Sequence, residues 1–329
     1  MDSFSEFSLE FARWLQANYP QLESTSSLFA EIGGYEFYLI VIVLIYWCLN
    51  KRLGASLVYL MSLSISINSL LKHALRDPRP YWTETDISIG EESSYGAPSG
   101  HAQNATVFYG TIGLWFRKGW IWLLSFFIIL FMALSRIYLG VHDIGDVLAG
   151  FAVGVVILTA YYFWDRYGES WFMNRILGQR LLIALSLPIL ITAIYITILL
   201  VTRPAGEEIS WSYLVDAAEI ESYENSALSI VALFGISIGL VLERSRVRFM
   251  VQGPWWKRLL RLLVGLVPIL LLWFGLGPYI PKEPVGLRIS LEALSFLLIN
   301  LWIAYYGPLI FTRLNLADVA PEPDSLISP

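Results

Sequence analysis

The length of the apolar runs constrains this sequence most. Stretches at 35–49, 55–75, 98–116, 120–137, 142–164, 181–201, 227–242, 259–276 and 289–311 are dominated by Leu, Ile, Val, Phe, Ala and Trp. In hydrocarbon a chain must satisfy its own backbone N–H and C=O groups, and for runs like these that means helices. A helix of roughly 20 apolar residues crosses the core of a bilayer. The expected fold is therefore all-α, a polytopic membrane helical bundle of about nine transmembrane helices. The composition agrees, with 56% hydrophobic and 15% charged residues, where a soluble domain carries about a quarter charged. The single cysteine, Cys48, sits in an apolar run. It excludes an internal disulfide and any cysteine metal cluster. A net charge of -5 offers no basic surface for nucleic acid.

The polar segments divide the chain. Residues 4–31 intersperse Phe4, Phe7, Leu9, Phe11, Trp14 and Leu15 with Glu6, Glu10 and Arg13. This pattern is expected to form an amphipathic helix lying in the membrane interface. It does not resemble a cleavable signal peptide, so insertion is expected to rely on the internal helices. A loop over 81–99 is rich in Glu, Ser, Gly and Asp, and an acidic loop over 203–225 holds Glu207, Glu208, Asp216, Glu219, Glu221 and Glu224. The acidic loop is expected to be solvated, with Trp211, Tyr213 and Leu214 able to dip into the membrane. The proline-containing tail from Asp318 is expected to be disordered. Lys51, Arg52, Arg117, Lys118, Arg166, Arg175, Arg180, Arg244, Arg246, Arg248, Lys257, Arg258, Arg261 and Arg313 fall in one set of connections. The positive-inside rule makes that set cytoplasmic, with the N-terminus outside and the C-terminus inside.

Against this background one stretch stands out. All three histidines of the chain lie between Lys72 and Asp146. Lys72 closes the second span, His101 opens the third, Arg136 closes the fourth and His142 opens the fifth, and Arg79 follows closely after Lys72. Antiparallel packing would bring these ends together on the outer face. Ionisable groups so placed in a membrane protein are functional candidates. Three cations facing one pocket suit a multiply charged anion, and arginine suits phosphate through bidentate contacts. The turn Pro98-Ser99-Gly100-His101 adds a helix N-terminus, whose N–H groups also favour phosphate, and Gly100 lets the backbone approach closely. His142 and Asp146 share a helix face four residues apart. A carboxylate on one imidazole nitrogen makes the other a nucleophile, which leaves His101 as a free acid for the leaving oxygen. The chemistry this points to is phosphoryl transfer through a phosphohistidine, with the cations supplying charge stabilisation and no metal or other cofactor required.

Neighbouring polar residues have blander readings. Arg76 reads as an interfacial anchor and His73 as an interface neighbour. Asp77 and Asp143 read as solvated loop carboxylates. Ser135 is equally suited to bonding back to a helix carbonyl or to binding substrate.

Three blocks of this stretch, Lys72 to Arg79-Pro80, Pro98-Ser99-Gly100-His101, and Ser135-Arg136 to His142 to Asp146, resemble the tripartite signature of the type 2 phosphatidic acid phosphatase superfamily, without departure at any signature position. The flanking Gly34-Tyr35-Glu36-Phe37-Tyr38 and Ala102-Gln103-Asn104 resemble bacterial members similar to sphingosine-phosphate phosphatases. The resemblance implies a core of roughly six membrane helices and a metal-independent lipid phosphomonoesterase or pyrophosphatase in the lipid bilayer, of the kind found in a bacterial inner membrane. It makes His142 the nucleophile, Asp146 its partner and His101 the acid and base, with Lys72, Arg79, Ser99, Gly100 and Arg136 holding the phosphate. The organisation that follows is an interfacial segment over 1–34, a phosphatase core over 35–202, an outer loop with further helices over 203–316, and a tail over 317–329. Alternatives at the same site are undecaprenyl-pyrophosphate dephosphorylation and lipid phosphotransfer. A phosphate or lipid transporter would instead place its charges near the bilayer midplane.

Overall fold

The computed structural model describes residues 3–202 and 210–321. It is built of helices, and the only extended pairing among the described residues is an isolated antiparallel bridge between Phe249 and Val319. In chain order the helices are α1 (Ser3–Asn18), α2 (Glu23–Ile32), α3 (Tyr35–Leu44), α4 (Lys51–Leu75), α5 (Pro80–Thr83), α6 (Gly100–Phe116) and α7 (Gly119–Tyr138). They continue with α8 (Ile144–Phe163), α9 (Glu169–Met173), α10 (Leu177–Val201), α11 (Val215–Leu242), α12 (Trp255–Leu270), α13 (Val285–Leu301) and α14 (Gly307–Arg313).

Seven helical stretches among the described residues are long and apolar enough to cross a membrane, and the bent pair 20–32 with 35–49 would make an eighth. The remaining expected span is α6, a helix of 17 residues packed against both α7 and α8. Most of the α7 surface is apolar and exposed, including Trp120, Leu123, Phe126 and Phe131. On a soluble protein such a face would be an aggregation liability; here it meets lipid.

The helix ends follow from local chemistry. After Leu75, Arg76 turns into the left-handed region (φ 48). Arg79 is extended ahead of Pro80, as a residue preceding proline is pushed to be. Gly140 has φ 73, and a Cβ there would lie 2.1 Å from the Ile87 carbonyl oxygen, so only glycine fits. Asp143 caps α8 through a reciprocal box with Asp146: the Asp146 N–H donates to Asp143 Oδ1 at 2.7 Å, and the Asp143 N–H donates to Asp146 Oδ2 at 3.3 Å. Asp143 is therefore a helix cap rather than a solvated loop carboxylate, whereas Asp77 is exposed as expected.

The chain separates into two compact units. The first comprises residues up to 39, 59–174 and 187–230. Within it α6 and α8 approach closely through small residues: a Cβ on Gly150 would lie 2.4 Å from the Ser99 carbonyl oxygen, and one on Gly154 would lie 2.7 Å from Thr106 Cβ. The polar first turns of α6 are buried against α4. Gln103 Nε2 donates to the Ser64 carbonyl at 2.7 Å, Asn68 Nδ2 donates to Gln103 Oε1 at 3.0 Å and to the Pro98 carbonyl at 3.1 Å, and Ser64 Oγ bonds Asn104 Oδ1 at 2.7 Å.

The N-terminal helices belong to this unit too. Sequence periodicity suggested a helix resting in the interface. Phe4, Phe7 and Trp14 are indeed exposed, but the other face is docked on protein. Ala12 is buried with Ala102, Ile137 and Val147. Gln16 Nε2 donates to the carbonyls of Ile87 and Tyr138 at 3.0 and 2.7 Å, the Ile144 N–H donates to Ser8 Oγ at 2.8 Å, and Arg13 pairs with Glu84 and Asp86 at 2.9 and 2.8 Å. Amphipathicity fits a protein-facing helix as well as a membrane-lying one.

The second unit holds 40–58, 175–186 and the chain from 231 onward. Arg261, fully buried, donates to the carbonyls of Trp47 at 3.1 Å, Val251 at 3.0 Å, Gln252 at 2.8 Å and Leu316 at 2.9 Å. Lys51 pairs with the buried Glu243 at 2.7 Å. The expectation of disorder from Asp318 needs correcting for its first residues. The Met250 N–H donates to the Asp318 carbonyl and the Ala320 N–H to the Arg248 carbonyl, both at 2.8 Å, so the start of the tail satisfies backbone groups against 248–250. The tail over 322–329 lies outside the described residues.

The acidic stretch also differs from expectation. Residues 203–209, with Glu207 and Glu208, lie outside the described residues, but Asp216, Glu219, Glu221 and Glu224 sit on α11 rather than in a loop. Trp211 packs against Trp82 with tilted rings 5.6 Å apart, and Trp211 and Leu214 both pack on the buried group of Trp82, Tyr95 and Ala218.

Candidate active site

The first unit gathers every sequence-nominated site residue at one end of α4, α6, α7 and α8. Lys72 lies in the last turn of α4 and Arg79 in the short link to α5. Ser99 and Gly100 form the α6 N-terminus, Arg136 lies in the last turn of α7, and His142 and Asp146 flank the start of α8. The Ser99 N–H donates to the Asp146 carbonyl at 2.9 Å, which ties the second block of the stretch to the third.

His142 is 1% exposed and Asp146 3%. The His142 Nδ1 lies 3.0 Å from Asp146 Oδ2. That carboxylate oxygen can only accept, so Nδ1 carries the proton and Nε2 carries the lone pair. Arg79 Nη1 points at that lone pair from 3.4 Å. Burial first, and then the charges of Arg79, Lys72 and Arg136, hold the imidazole pKa well below its ordinary value. The ring is therefore neutral at neutral pH, with its lone pair on Nε2.

Arg79 is completely buried and held from several sides. Nε donates to the Ser94 carbonyl at 2.5 Å, Nη1 to the Val141 carbonyl at 2.9 Å and Nη2 to Ser94 Oγ at 2.9 Å. Lys72 Nζ reaches Ser94 Oγ at 3.3 Å and the Tyr95 carbonyl. Among the nominated site residues, two buried polar atoms are left without a hydrogen-bond partner, Ser99 Oγ and Arg136 Nε. Orphaned donors of this kind are rare in a folded protein and ask for an acceptor. An incoming tetrahedral oxyanion would meet that need.

His101 differs from expectation. Its Nε2 lies 3.1 Å from the Ala30 carbonyl oxygen, so the ring is not free but donates there. A Cβ on Gly33 would stand 2.4 Å from the His101 ring, which explains why the segment joining α2 and α3 carries glycine at that point. Nδ1 is the nitrogen this arrangement leaves for proton exchange. Ser135 Oγ bonds back to the Met132 carbonyl at 2.7 Å, the helix-bonding role rather than the substrate-binding one.

Two carboxylates were missed. The first is Glu92, from the loop between α5 and α6. Its Oε2 pairs with Arg79 Nη2 at 2.6 Å and its Oε1 pairs with Arg136 Nη2. Burial alone would raise its pKa, but Arg79, Arg136, His101 and Lys72 together hold it down at about 2, so Glu92 is an anion at any working pH. The second is Glu219 on α11. It accepts from Arg76 Nε at 2.6 Å, from Tyr95 Oη at 2.8 Å and from His73 Nε2 at 3.1 Å. The other His73 nitrogen meets Tyr195 Oη at 3.0 Å, and Arg76 also donates to Thr202 Oγ1 at 2.5 Å. The reading of Arg76 as a membrane anchor and His73 as an interface neighbour is thereby corrected: both are consumed in a buried network, because Glu219 supplies the charge that burial demands. Tyr95 links this network to the site, since its carbonyl receives Lys72 while its hydroxyl holds Glu219.

Comparison with known proteins supports this picture. Residues 53–169 match the PAP2 superfamily, and residues 229–319 match the transmembrane extension of PAP2 superfamily phosphatases. The chain is 32% identical over 139 residues to sphingosine-1-phosphate phosphatase 1 of Rattus norvegicus, covering 40% of this chain and 32% of that protein. It is 26% identical over 151 residues to phosphatidylglycerophosphatase B of Bacillus subtilis (strain 168), covering 42% of this chain and 72% of that protein. A longer, weaker similarity of 24% over 278 residues, covering 73% of this chain and 77% of the other, is to glucose-6-phosphatase catalytic subunit 1 of Haplochromis nubilus. The matched region is thus about a third of the rat protein's length. No solved structure is significantly similar to the chain. One match runs through all three blocks of charged residues and the other through the C-terminal helices, and the chain, an integral membrane protein, belongs to the PAP2 superfamily.

Proposed function

We propose that this protein is a membrane phosphatase that removes phosphate from lipid phosphate monoesters or pyrophosphates through a phosphohistidine at His142. One observation carries the reading. Asp146 fixes the proton on His142 Nδ1, so that Nε2 presents its lone pair beside the buried guanidinium of Arg79.

In the first step a phosphoryl group rests against Arg79, Arg136 and Lys72, accepting from Ser99 Oγ and Arg136 Nε. Nε2 of His142 forms a bond to phosphorus as the bond to the ester oxygen breaks, and the leaving oxygen takes a proton from Nδ1 of His101, which enters the step as the imidazolium and keeps its Nε2–H on the Ala30 carbonyl. Asp146 stabilises the charge that develops on the His142 ring. In the second step His101 takes a proton from water, the resulting hydroxide attacks phosphorus, and the P–N bond breaks to release phosphate. The three cations carry the charge stabilisation throughout.

The lipid preference rests on the setting. The matched sphingosine-1-phosphate phosphatase 1 and phosphatidylglycerophosphatase B are both named for lipid phosphates, and the site lies at the ends of membrane helices. Each CH₂ that remains in an apolar environment is worth about 0.8 kcal/mol, so long chains favour binding. The Lys/Arg distribution supports a site on the outer face. The test is phosphate release by purified protein in detergent with EDTA, across sphingoid, glycerolipid and isoprenoid mono- and pyrophosphates and a short soluble phosphate. Release from at least one lipid class and poor release from the soluble compound are expected. No release from any lipid, or activity that returns only with magnesium, would contradict the proposal. Release from isoprenoid pyrophosphates alone would place the protein in envelope carrier recycling.

A further inference from the structure

Glu92 sits where the reading above places the phosphoryl group. One carboxylate bridges two arginines that are 0% and 3% exposed, while keeping 29% of its own side chain open to solvent. Arg79 cannot turn away, because Ser94 and the Val141 carbonyl hold its other donors. Glu92 is less tied. It lies on the connection between α5 and α6, and its backbone near that point is held through Tyr81, whose hydroxyl donates to the Glu92 carbonyl at 2.6 Å and accepts from the Glu92 N–H at 2.9 Å. The side chain can swing out while this anchor stays.

We propose that Glu92 is an internal competitor that sets ligand specificity, so that only an anion able to outbid a carboxylate enters the seat. The proposal rests on the reading of Lys72, Arg79 and Arg136 as that seat. Glu92 brings one charge and two oxygens, and uses both on the arginines. It leaves Ser99 Oγ and Arg136 Nε unpartnered. A dianionic phosphate monoester, or the terminal phosphate of a pyrophosphate, brings more charge and a third free oxygen. It can therefore replace both arginine contacts and also satisfy the orphaned donors. A phosphodiester brings a single charge and two free oxygens, no more than Glu92 already supplies, and gains nothing by displacing it. Specificity of this kind comes from a built-in penalty against the wrong ligand as well as from contacts to the right one.

The test is direct binding by titration calorimetry of the full-length protein in detergent, with inorganic phosphate and dimethyl phosphate as probes at about pH 8, above the second phosphate ionisation. The wild type should bind phosphate and show no heat with dimethyl phosphate. Glu92→Gln should tighten phosphate about tenfold, equivalent to about 1.4 kcal/mol, and should let dimethyl phosphate bind. Glu92→Asp, one methylene too short to bridge both arginines, should fall between the two. If all three proteins bind phosphate equally, or if Glu92→Gln binds it more weakly while keeping the wild-type thermal midpoint, Glu92 merely positions the arginines. The competitor is then overturned and the phosphate seat stands. If none of the three binds phosphate, the seat reading and the competitor fall together.

Discussion

Replacing Asp146 by asparagine isolates the orientation of His142 from the rest of the site. Asp146 is 3% exposed, and its Oδ2 accepts from two donors, His142 Nδ1 at 3.0 Å and the Asp143 backbone N–H at 3.3 Å. An asparagine of the same shape has one oxygen and one NH₂ group. With its oxygen on the shared position, geometry survives, but the negative charge that would stabilise a phosphorylated imidazolium is gone. With its NH₂ there, His142 must place its proton on Nε2 and lose the attacking lone pair. Either way kcat should fall by about 10²–10⁴, or about 3–5 kcal/mol in the barrier, the range for a histidine that loses its orienting carboxylate. The phosphate seat lies on other residues, so the KM for a lipid phosphate should change less than about threefold. The assay is steady-state phosphate release alongside calorimetric binding of inorganic phosphate. A kcat within a factor of about three of wild type would refute the reasoning. A parallel collapse of phosphate binding would show that the effect came from disruption of the α8 cap.

Further outcomes follow from the same contacts. Glu219→Ala should cost about 3–5 kcal/mol of stability, because Arg76 would keep its buried charge without the carboxylate; a thermal midpoint in detergent equal to wild type would contradict this. Gly150→Val should be destabilising by about 1–3 kcal/mol, since even its Cβ would stand 2.4 Å from the Ser99 carbonyl oxygen. Unchanged melting and turnover would mean that α6 and α8 can separate without loss. An impermeant thiol reagent applied to intact cells should label a cysteine placed at the exposed Ser93 and not one placed at the exposed Gly119, and the reverse pattern would put the site on the cytoplasmic side.

Much of the site was legible because its residues sit at helix ends, where breaks in hydropathy mark positions and antiparallel packing brings ends together. His142 and Asp146 were legible as a pair because four residues on a helix is a fixed geometry. Glu92 was not legible in this way. It lies in an irregular loop with other carboxylates, and nothing periodic aims it at arginines from α7 and from the α4–α5 link. The usable signal was electrostatic: clustered cations need a counter-charge even without ligand, and the polar loop over 81–99 held the nearby candidates. His73 and Arg76 carried a similar unread signal, since two basic residues three apart at the end of an apolar span call for one acid between them. The acid proved to be Glu219, more than 140 residues away, and sequence spacing says nothing about pairs so remote. The N-terminal segment shows a further limit. Amphipathicity identified its apolar face, but whether that face meets lipid or protein depends on packing details such as Ala12 fitting against Ala102 and Val147.

The central claim is that His142 carries the phosphoryl group. The most direct measurement is to mix purified protein in EDTA with a radiophosphate-labelled lipid phosphate, quench within milliseconds in alkali, where a phosphohistidine survives, and locate the label by peptide mapping. Label on the peptide containing His142, transient in the wild type and absent from a folded His142→Ala protein that releases no phosphate, is the predicted result. Phosphate release by His142→Ala, or label on any other residue, would contradict the account.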